Sequence, residues 1–545
     1  MCLVFKSSFH DIKAKVSKSE LRRMIDTVPN DAIGRRIFCD GEYGTVLYVG
    51  SVPPTPGLWL GVEWDNPLRG KHDGTHEGTK YFTCSHPFGG SFVRAKKVNF
   101  GMDFLSALRK RYGLKTEETV ELVIGKKTVE LVGFDSIHEE QRQLNKLCDV
   151  SLRDCAVSHA GSKESIYHSC PNITTLNLSK NLLSSWKQVA DITSQLENLE
   201  DLDLSENRVC LSSNPSSFSS AFLKLRVLSL NRMGITWSEV LTCSHMWPSL
   251  EELHLASNAI ATLERPVDTL QSLKVIDITN NKLVDGNQLH AIAYLPRLKQ
   301  IIVSNNKISL ITFPDAKVGE ISAMFSSLTS LSIDGNNISL STINEMNKLK
   351  TLQSLNCHNN PFMDGGKNPD TVRQLIISKI ANLKMLNKTE ILPQERKGAE
   401  LDYRKMFGND WLKAGGSQNL ELNNPNKEFC INHPTYKSLI EKYGVLDDGE
   451  LKEQQPFALK NQLLTLTFKC PEKPDQKPMQ KKLPDSMTVQ KVKGLLYRLL
   501  KVPGSELKLS YESSKMEGRE IELENDLKSL QFYSVENGDC VLVRW

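Results

Sequence analysis

This 545-residue chain is short of several things, and each shortage removes a class of function. No apolar run approaches the roughly 18 residues that a membrane-spanning helix needs, so no membrane partner is expected. The opening Met1-Cys2-Leu3-Val4-Phe5-Lys6 has neither the length nor the small-residue cleavage site of a secretory leader. Twelve cysteines occur without one Cys-x-x-Cys pair. In a chain this long they read as buried or idle thiols in a reducing compartment, which points to the cytoplasm. Net charge is small as well: 68 Lys and Arg against 64 Asp and Glu leave +4. That balance argues against a nucleic-acid-coating surface and leaves room only for local patches. Long coiled-coil heptads are missing. No Ser/His/Asp motif, carboxylate pair or metal set stands out, so a binding protein without cofactor is expected, not an enzyme.

What the chain does have is a repeat. The pattern L-x-x-L-x-L-x-x-N appears at Ile173, Leu176, Leu178 and Asn181, then at Leu199, Leu202, Leu204 and Asn207. It returns from Leu225, where Met233 takes the Asn slot, and from Leu250, Leu273, Leu298, Leu328 and Leu352 with Asn258, Asn281, Asn306, Asn336 and Asn360. An upstream copy at Leu147, Val150 and Leu152 puts Cys155 in that slot. Successive starts lie 26, 26, 26, 25, 23, 25, 30 and 24 residues apart, in or beside the leucine-rich repeat range of about 20–29. Each repeat supplies a short strand whose alternate aliphatic residues enter the core, and the Asn satisfies backbone groups at the turn that follows. One repeat cannot bury its own face, so stacking into a solenoid is obligatory. The 30-residue interval, with Pro314-Asp315-Ala316-Lys317, should loop out on one face. Thr371 to Leu386 reads as a helix and a last leucine strand that cap the open end.

The region before the repeats is different. Eleven glycines between Gly34 and Gly90 punctuate short β-leaning runs such as Thr45-Val46-Leu47-Tyr48-Val49, and a small antiparallel β fold follows. Its residues Gly57-Leu58-Trp59-Leu60-Gly61-Val62-Glu63-Trp64-Asp65, Gly70-Lys71-His72-Asp73-Gly74, Gly78, Tyr81-Phe82-Thr83-Cys84 and Gly89-Gly90-Ser91-Phe92-Val93-Arg94 resemble the CAP-Gly domain in order and spacing. That family carries Gly-Lys-Asn-Asp-Gly and grips acidic tails ending Glu-Glu-Tyr or Glu-Glu-Phe, as in α-tubulin. The resemblance implies a tail site of Trp59, Gly70, Lys71, His72, Asp73, Gly74 and Phe92. Lys71 would offer an ammonium to the tail carboxylates, Trp59 and Phe92 would wall a pocket for the terminal ring, and loop N–H groups would hold the terminal carboxylate. His72 stands where most of the family has Asn, so altered affinity is expected. A zinc reading of His72, His76, Cys84 and His86 lacks paired spacing. Gly125-Lys126-Lys127-Thr128 fails as a phosphate loop because position 120 is Val120, not Gly.

Toward the C-terminus, Glu395 to Met406 and His433 to Tyr443 read as helices, separated by linker-like Gly415-Gly416-Ser417 and Asn423-Asn424-Pro425-Asn426. From Gln462 a strand over Leu463–Phe468 precedes Lys481-Lys482-Leu483-Pro484 and a helix opened by Ser486 or Thr488. That helix carries Val489, Val492, Leu495, Leu496 and Leu499 on one face. Strands at Leu507–Tyr511, Glu520–Leu523 and Cys540–Val543 complete a pattern that resembles ubiquitin. The last residues, Val543-Arg544-Trp545, carry no Gly-Gly for conjugation, so an integral docking domain is expected.

The fold class is therefore multidomain α/β: a β-rich CAP-Gly domain over 31–100 and a connector with solenoid cap over 101–146. A leucine-rich solenoid over 147–390, a helical linker over 391–460 and a ubiquitin-like β-grasp domain over 461–545 complete it. In that order the modules resemble the tubulin-folding cofactors. The resemblance implies a cytoskeleton-associated chaperone that binds α-tubulin by its acidic tail and folded body. With other tubulin-folding cofactors it would assemble and dissociate the αβ heterodimer. The alternative is an adaptor that hands clients to the proteasome through the ubiquitin-like domain.

Overall fold

The computed structural model describes residues 28–112, 122–124, 127–129, 144–211, 214–364, 368–419, 422–446, 463–473, 475, 477–502, 506–512 and 520–545. The N-terminal extension with Met1–Lys6, and Val120, Gly125 and Lys126, lie outside the described residues. Two units make up the chain, one running to Leu283 with Leu295–Leu298, the other comprising Val284–Tyr294 and Lys299–Trp545.

In the first unit, β1 (Arg36–Cys39), β2 (Glu42–Val52), β3 (Thr55–Trp64) and β4 (Gly90–Val93) form an antiparallel sheet in that order. Ile37, Cys39, Val46, Leu60, Val62 and Trp64 fill its core side. A register shift between Val46 and Tyr48 inserts Leu47 as an extra residue against β3. Without it Val46 and Tyr48 would share a face; with it Val46 stays in the core and Tyr48 turns to the opposite side.

Met102–Asp103 then pairs in parallel with Val157–His159 and leads into the solenoid. Its strands, Asp149–Ser151, Thr175–Asn177, Asp201–Asp203, Val227–Ser229, Glu252–His254 and Val275–Asp277, pair successively in parallel. The central residue of each, from Val150 to Ile276, is fully buried. The carboxamides act as expected. Asn258 Nδ2 donates to the carbonyls of Leu230 and Leu255 (2.8 and 2.9 Å), and its Oδ1 accepts from the N–H groups of Met233 and Gly234 (2.8 and 2.9 Å). Asn181 and Asn207 repeat the arrangement. Cys155 offers only a thiol contact to the Arg153 carbonyl at 3.4 Å, and Met233 is buried where it can donate nothing.

The second unit holds parallel strands of the same kind. Gln300–Ile302, Ser330–Ser332, Ser354–Asn356 and Met385–Leu386 pair in parallel, with Asn336 and Asn360 bridging turns. At the long interval, the Asp315 carboxylate accepts from the Ser322 hydroxyl and the Ala323 N–H (2.8 Å each), which closes the loop on itself. Helix α1 (Pro369–Lys379) and α2 (Pro393–Met406) follow, then helices Gly408–Lys413, Lys427–Asn432 and Tyr436–Tyr443. They enclose Leu375, Tyr403, Trp411, Phe429, Tyr436, Leu439 and Ile440. The glycine and asparagine stretches read as linker are part of this body. A Cβ on Gly416 would stand 2.3 Å from the Trp411 ring, Asn423 accepts from the Trp411 indole, and Asn426 caps the next helix. His433 falls between helices, not within one, stacked on Phe429 at 4.5 Å with the Tyr403 hydroxyl 2.7 Å from its Nδ1.

The C-terminal sheet runs β6 (Met479–Pro484), β5 (Leu463–Lys469), β9 (Cys540–Arg544), β7 (Lys508–Glu512), β8 (Glu520–Glu522). Only the β5–β9 pair is parallel. Helix α3 (Val489–Leu500) covers one face with Val489, Val492 and Leu496 buried; Leu495 reaches the core edge and Leu499 is exposed.

Two outcomes follow. Asn258→Ala strands several buried donors and acceptors at once, each costing about 1–3 kcal/mol if left unmet. Urea unfolding should therefore show a loss of at least about 2 kcal/mol, whereas Asn337→Ala, at an exposed position without a left-handed backbone, stays near zero. Burial, and then the Lys379 charge, lowers the His433 imidazole from 6.5 to about 4. The unfolded chain takes up that proton first, so stability is full above pH 6.5 and falls as pH drops from there to about 4. Thermal midpoints across that window check the sign, and His433→Gln should flatten the slope.

Candidate functional site

On the face of the N-terminal sheet away from its core, Phe92 of β4 stands opposite Gly61 of β3, and Gly61 opposite Tyr48 of β2. A Cβ on Gly61 would lie 2.4 Å from the Phe82 ring and 2.9 Å from Tyr48 Cβ. Glycine there leaves room for a ring cluster. Phe92 is its centre, with ring centroids 5.0 Å to His72, 5.3 Å to Tyr81, 5.5 Å to Phe82, 6.0 Å to His76 and 6.2 Å to Tyr48. Of these only Phe82 is buried, so the cluster is open on one side.

The loop Gly70–Gly74 is stitched beside this cluster. The Lys71 N–H donates to the Gly90 carbonyl at 2.7 Å, and the Gly90 N–H returns to the His72 carbonyl at 2.7 Å. A Cβ on Gly70 would meet the Phe88 carbonyl at 2.2 Å; one on Gly74, whose φ is +101°, would meet the Phe82 carbonyl at 2.1 Å. Asp73 turns the loop by accepting from the Thr75 N–H at 3.1 Å, and bonds to Thr75 hold its carboxyl below the usual range. His72 Nδ1 accepts from the Gly74 N–H at 3.1 Å. Burial, followed by the neighbouring His76 charge, lowers its pKa and favours the neutral ring this bond requires. Lys71 is exposed and pairs with no carboxylate among the described residues. Burial pushes the Cys84 thiol up to about 11, with its sulfur against Gly90, so it fills space as a thiol.

Family models match along the chain: the CAP-Gly domain at residues 33–98, the leucine-rich repeat at 238–414 and the ubiquitin-like domain at 468–544. Among curated proteins, tubulin-specific chaperone E of Xenopus laevis is 74% identical over 519 residues, covering 95% of this chain and 99% of that protein. The chain belongs to the tubulin-specific chaperone E family. Its Homo sapiens member is 56% identical over 96% of the chain and all of its own length. Among solved structures, the C-terminal ubiquitin-like domain of mouse tubulin-specific chaperone e is 77% identical, covers 15% of this chain and 87% of that one, and has a TM-score of 0.15.

In this family member, Gly70, Lys71, His72, Asp73, Gly74 and Phe92 form one neighbourhood. Trp59 lies on the same sheet face, opposite Gly50, but its ring is covered by the Arg94 guanidinium at 3.7 Å. Arg94 in turn donates to the carbonyls of Leu58 and Pro56 (3.2 and 2.8 Å). The Trp59 indole N–H is buried with no acceptor among the described residues. Sequence reasoning missed Tyr48, His76, Tyr81, Phe82 and Arg94 as site residues. Tyr81, Phe82 and Arg94 sit in the motif without an evident role, and Tyr48 reaches the cluster only because of the bulge at Leu47.

Asparagine at position 72 can accept the same Gly74 N–H through its carboxamide. His72→Asn should leave the Gly74 amide protected from hydrogen exchange, whereas His72→Leu should raise its exchange roughly tenfold, the worth of about one hydrogen bond.

Proposed function

We propose that this chain is a tubulin chaperone whose N-terminal sheet holds the acidic C-terminal tail of α-tubulin while the solenoid grips the folded body. The observation that carries the reading is the juxtaposition of an exposed, unpaired Lys71 with an open ring cluster centred on Phe92. A tail ending in two glutamates and an aromatic residue fits both: carboxylates toward Lys71, the terminal ring among Phe92, His72 and Tyr81. Names of relatives that match end to end support the tubulin assignment.

Chemistry here is binding alone. A flexible tail caught at one site raises the local concentration of the folded body at the second, so two modest contacts act together. With partner cofactors that carry β-tubulin, the same grip would assemble the heterodimer or pull it apart. GTP hydrolysis in such a cycle belongs to tubulin. No described helix is long and apolar enough to cross a membrane, and a cytoplasmic, cytoskeleton-associated protein is the matching placement.

Delivery of clients to the proteasome is the second reading, and the ubiquitin-like sheet does not favour it. Its outer face presents Thr465, Thr467, Lys469, Gln480, Lys482 and Lys508, with Leu463 and Pro484 half-buried at one end, while Leu542 is buried and Ser510 lies beneath the Arg544–Glu520 ion pair. That face offers little apolar area to a receptor.

The test is size-exclusion binding of the full chain to αβ-tubulin, intact or stripped of its C-terminal tails. Lys71→Ala should weaken the complex roughly tenfold and tail removal by at least as much, and Lys71→Ala should add nothing once the tail is gone, since the tail is the partner of Lys71. Binding insensitive to both would eliminate the tail site, and no tubulin binding at all would eliminate the function.

A further inference from the structure

Within the second unit, the ubiquitin-like fold meets helix α2 along a defined seam. Gly398, in the middle of α2, is the point of closest approach: a Cβ there would stand 2.7 Å from the Phe532 carbonyl. Glycine inside a helix costs about 1 kcal/mol against alanine, so a place where only glycine fits marks a contact that outweighs propensity. One turn on, the Ser534 hydroxyl donates to Asp402 at 2.8 Å and reaches the Gly398 carbonyl at 3.3 Å. Lys405 pairs with Glu536, and Lys528 with Asp370 of α1 at 3.0 Å. Burial raises the Asp402 carboxyl to about 6.

Beside the seam, Gln394, Lys397 and Leu401 of α2 and Glu520, Ile521 and Glu522 of β8, the last strand of the sheet, line an open cleft of about 320 Å³, and Glu520 and Glu522 stay exposed there. An uncovered edge strand is a template for pairing with another chain, and charged side chains along it discourage that. The opposite edge, β6, carries Lys481, Lys482 and Pro484, residues that discourage pairing in the same way.

We infer that the ubiquitin-like domain is latched to the helical cap through Lys528–Glu536, and that the latch withholds the surface formed by Lys528, Phe532, Ser534 and Glu536 from other partners. The occupant of that surface is the chain's own α2, matched by Gly398 in shape and by Lys405 in charge, with Asp370 of α1 beside it. A partner that uses the surface must first displace α2, so binding there is slowed by the latch equilibrium. The inference does not depend on what the sheet or solenoid binds, and its failure leaves the tubulin reading untouched.

Hydrogen exchange of the full chain tests it. Gly398→Ala strengthens α2 as a helix yet pushes on the Phe532 carbonyl. Amides of Lys528–Glu536 should exchange at least tenfold faster while α2 keeps its protection. Lys405→Glu should also accelerate exchange across Lys528–Glu536, and Lys405→Glu with Glu536→Lys should restore it. Unchanged exchange in Gly398→Ala, or a charge-swapped pair no more protected than Lys405→Glu alone, overturns the latch. If Gly398→Ala disturbs α2 itself, the charge-swap comparison decides.

Discussion

The carboxamide at the solenoid turns, present at all but those of Cys155 and Met233, is the interaction on which the rest depends. A three-residue strand cannot hold a repeat, because its backbone turns away from the sheet at once and leaves carbonyls and N–H groups inside the protein. Asn258 answers both kinds of group, donating backward to Leu230 and accepting from Met233 and Gly234 in the neighbouring repeat. Each carboxamide therefore belongs to two repeats, and removing it damages both. Leucines supply the burial, and the strands pair without a shift from Asp149 to Asp277 even where Cys155 and Met233 stand in the asparagine slot.

A second device recurs at the places where one element must touch another closely: a missing Cβ. Gly61 admits the Phe82 ring beneath the tail site, Gly70 and Gly74 let the Lys71 loop lie on neighbouring carbonyls, and Gly398 lets Phe532 approach α2. At each of these positions a methyl group would collide with a ring or backbone atom that cannot swing aside. The same constraint thus shapes the candidate tail site and the seam on the ubiquitin-like fold.

Position matters as much as composition. Within the first unit, Tyr43 of the glycine-rich sheet bonds Asp154, and Lys180, paired with the same Asp154 at 2.7 Å, lies over the Tyr43 ring at 5.6 Å. The Met102–Asp103 strand adds a backbone tie to Val157–His159. The candidate tail site, anchored in this way, stands at a set distance from the first solenoid strands, as the proposed tether requires.

The repeats and their asparagines, the glycine-rich motif around Lys71, and the strand–helix alternation of the last 85 or so residues were legible in the sequence, because each repeats a local period or a fixed spacing. Lys71, His72 and Phe92 could be named as candidates for the same reason. The partners of Phe92 could not, since Tyr48 changes face through a one-residue bulge and His76 comes from a separate turn. Nor did local pattern reveal that Gly415-Gly416 and Asn423–Asn426 belong to a packed body: glycine and asparagine look alike in a linker and against Trp411. The chain by itself determined which segments would be strand, helix and turn, as those depend on neighbours a few residues away. Tertiary structure alone decided which rings share a face, which glycine serves as a window and which surface of the ubiquitin-like fold is covered. Those depend on atoms brought together from positions as far apart as Gly398 and Phe532, and no local period encodes that distance.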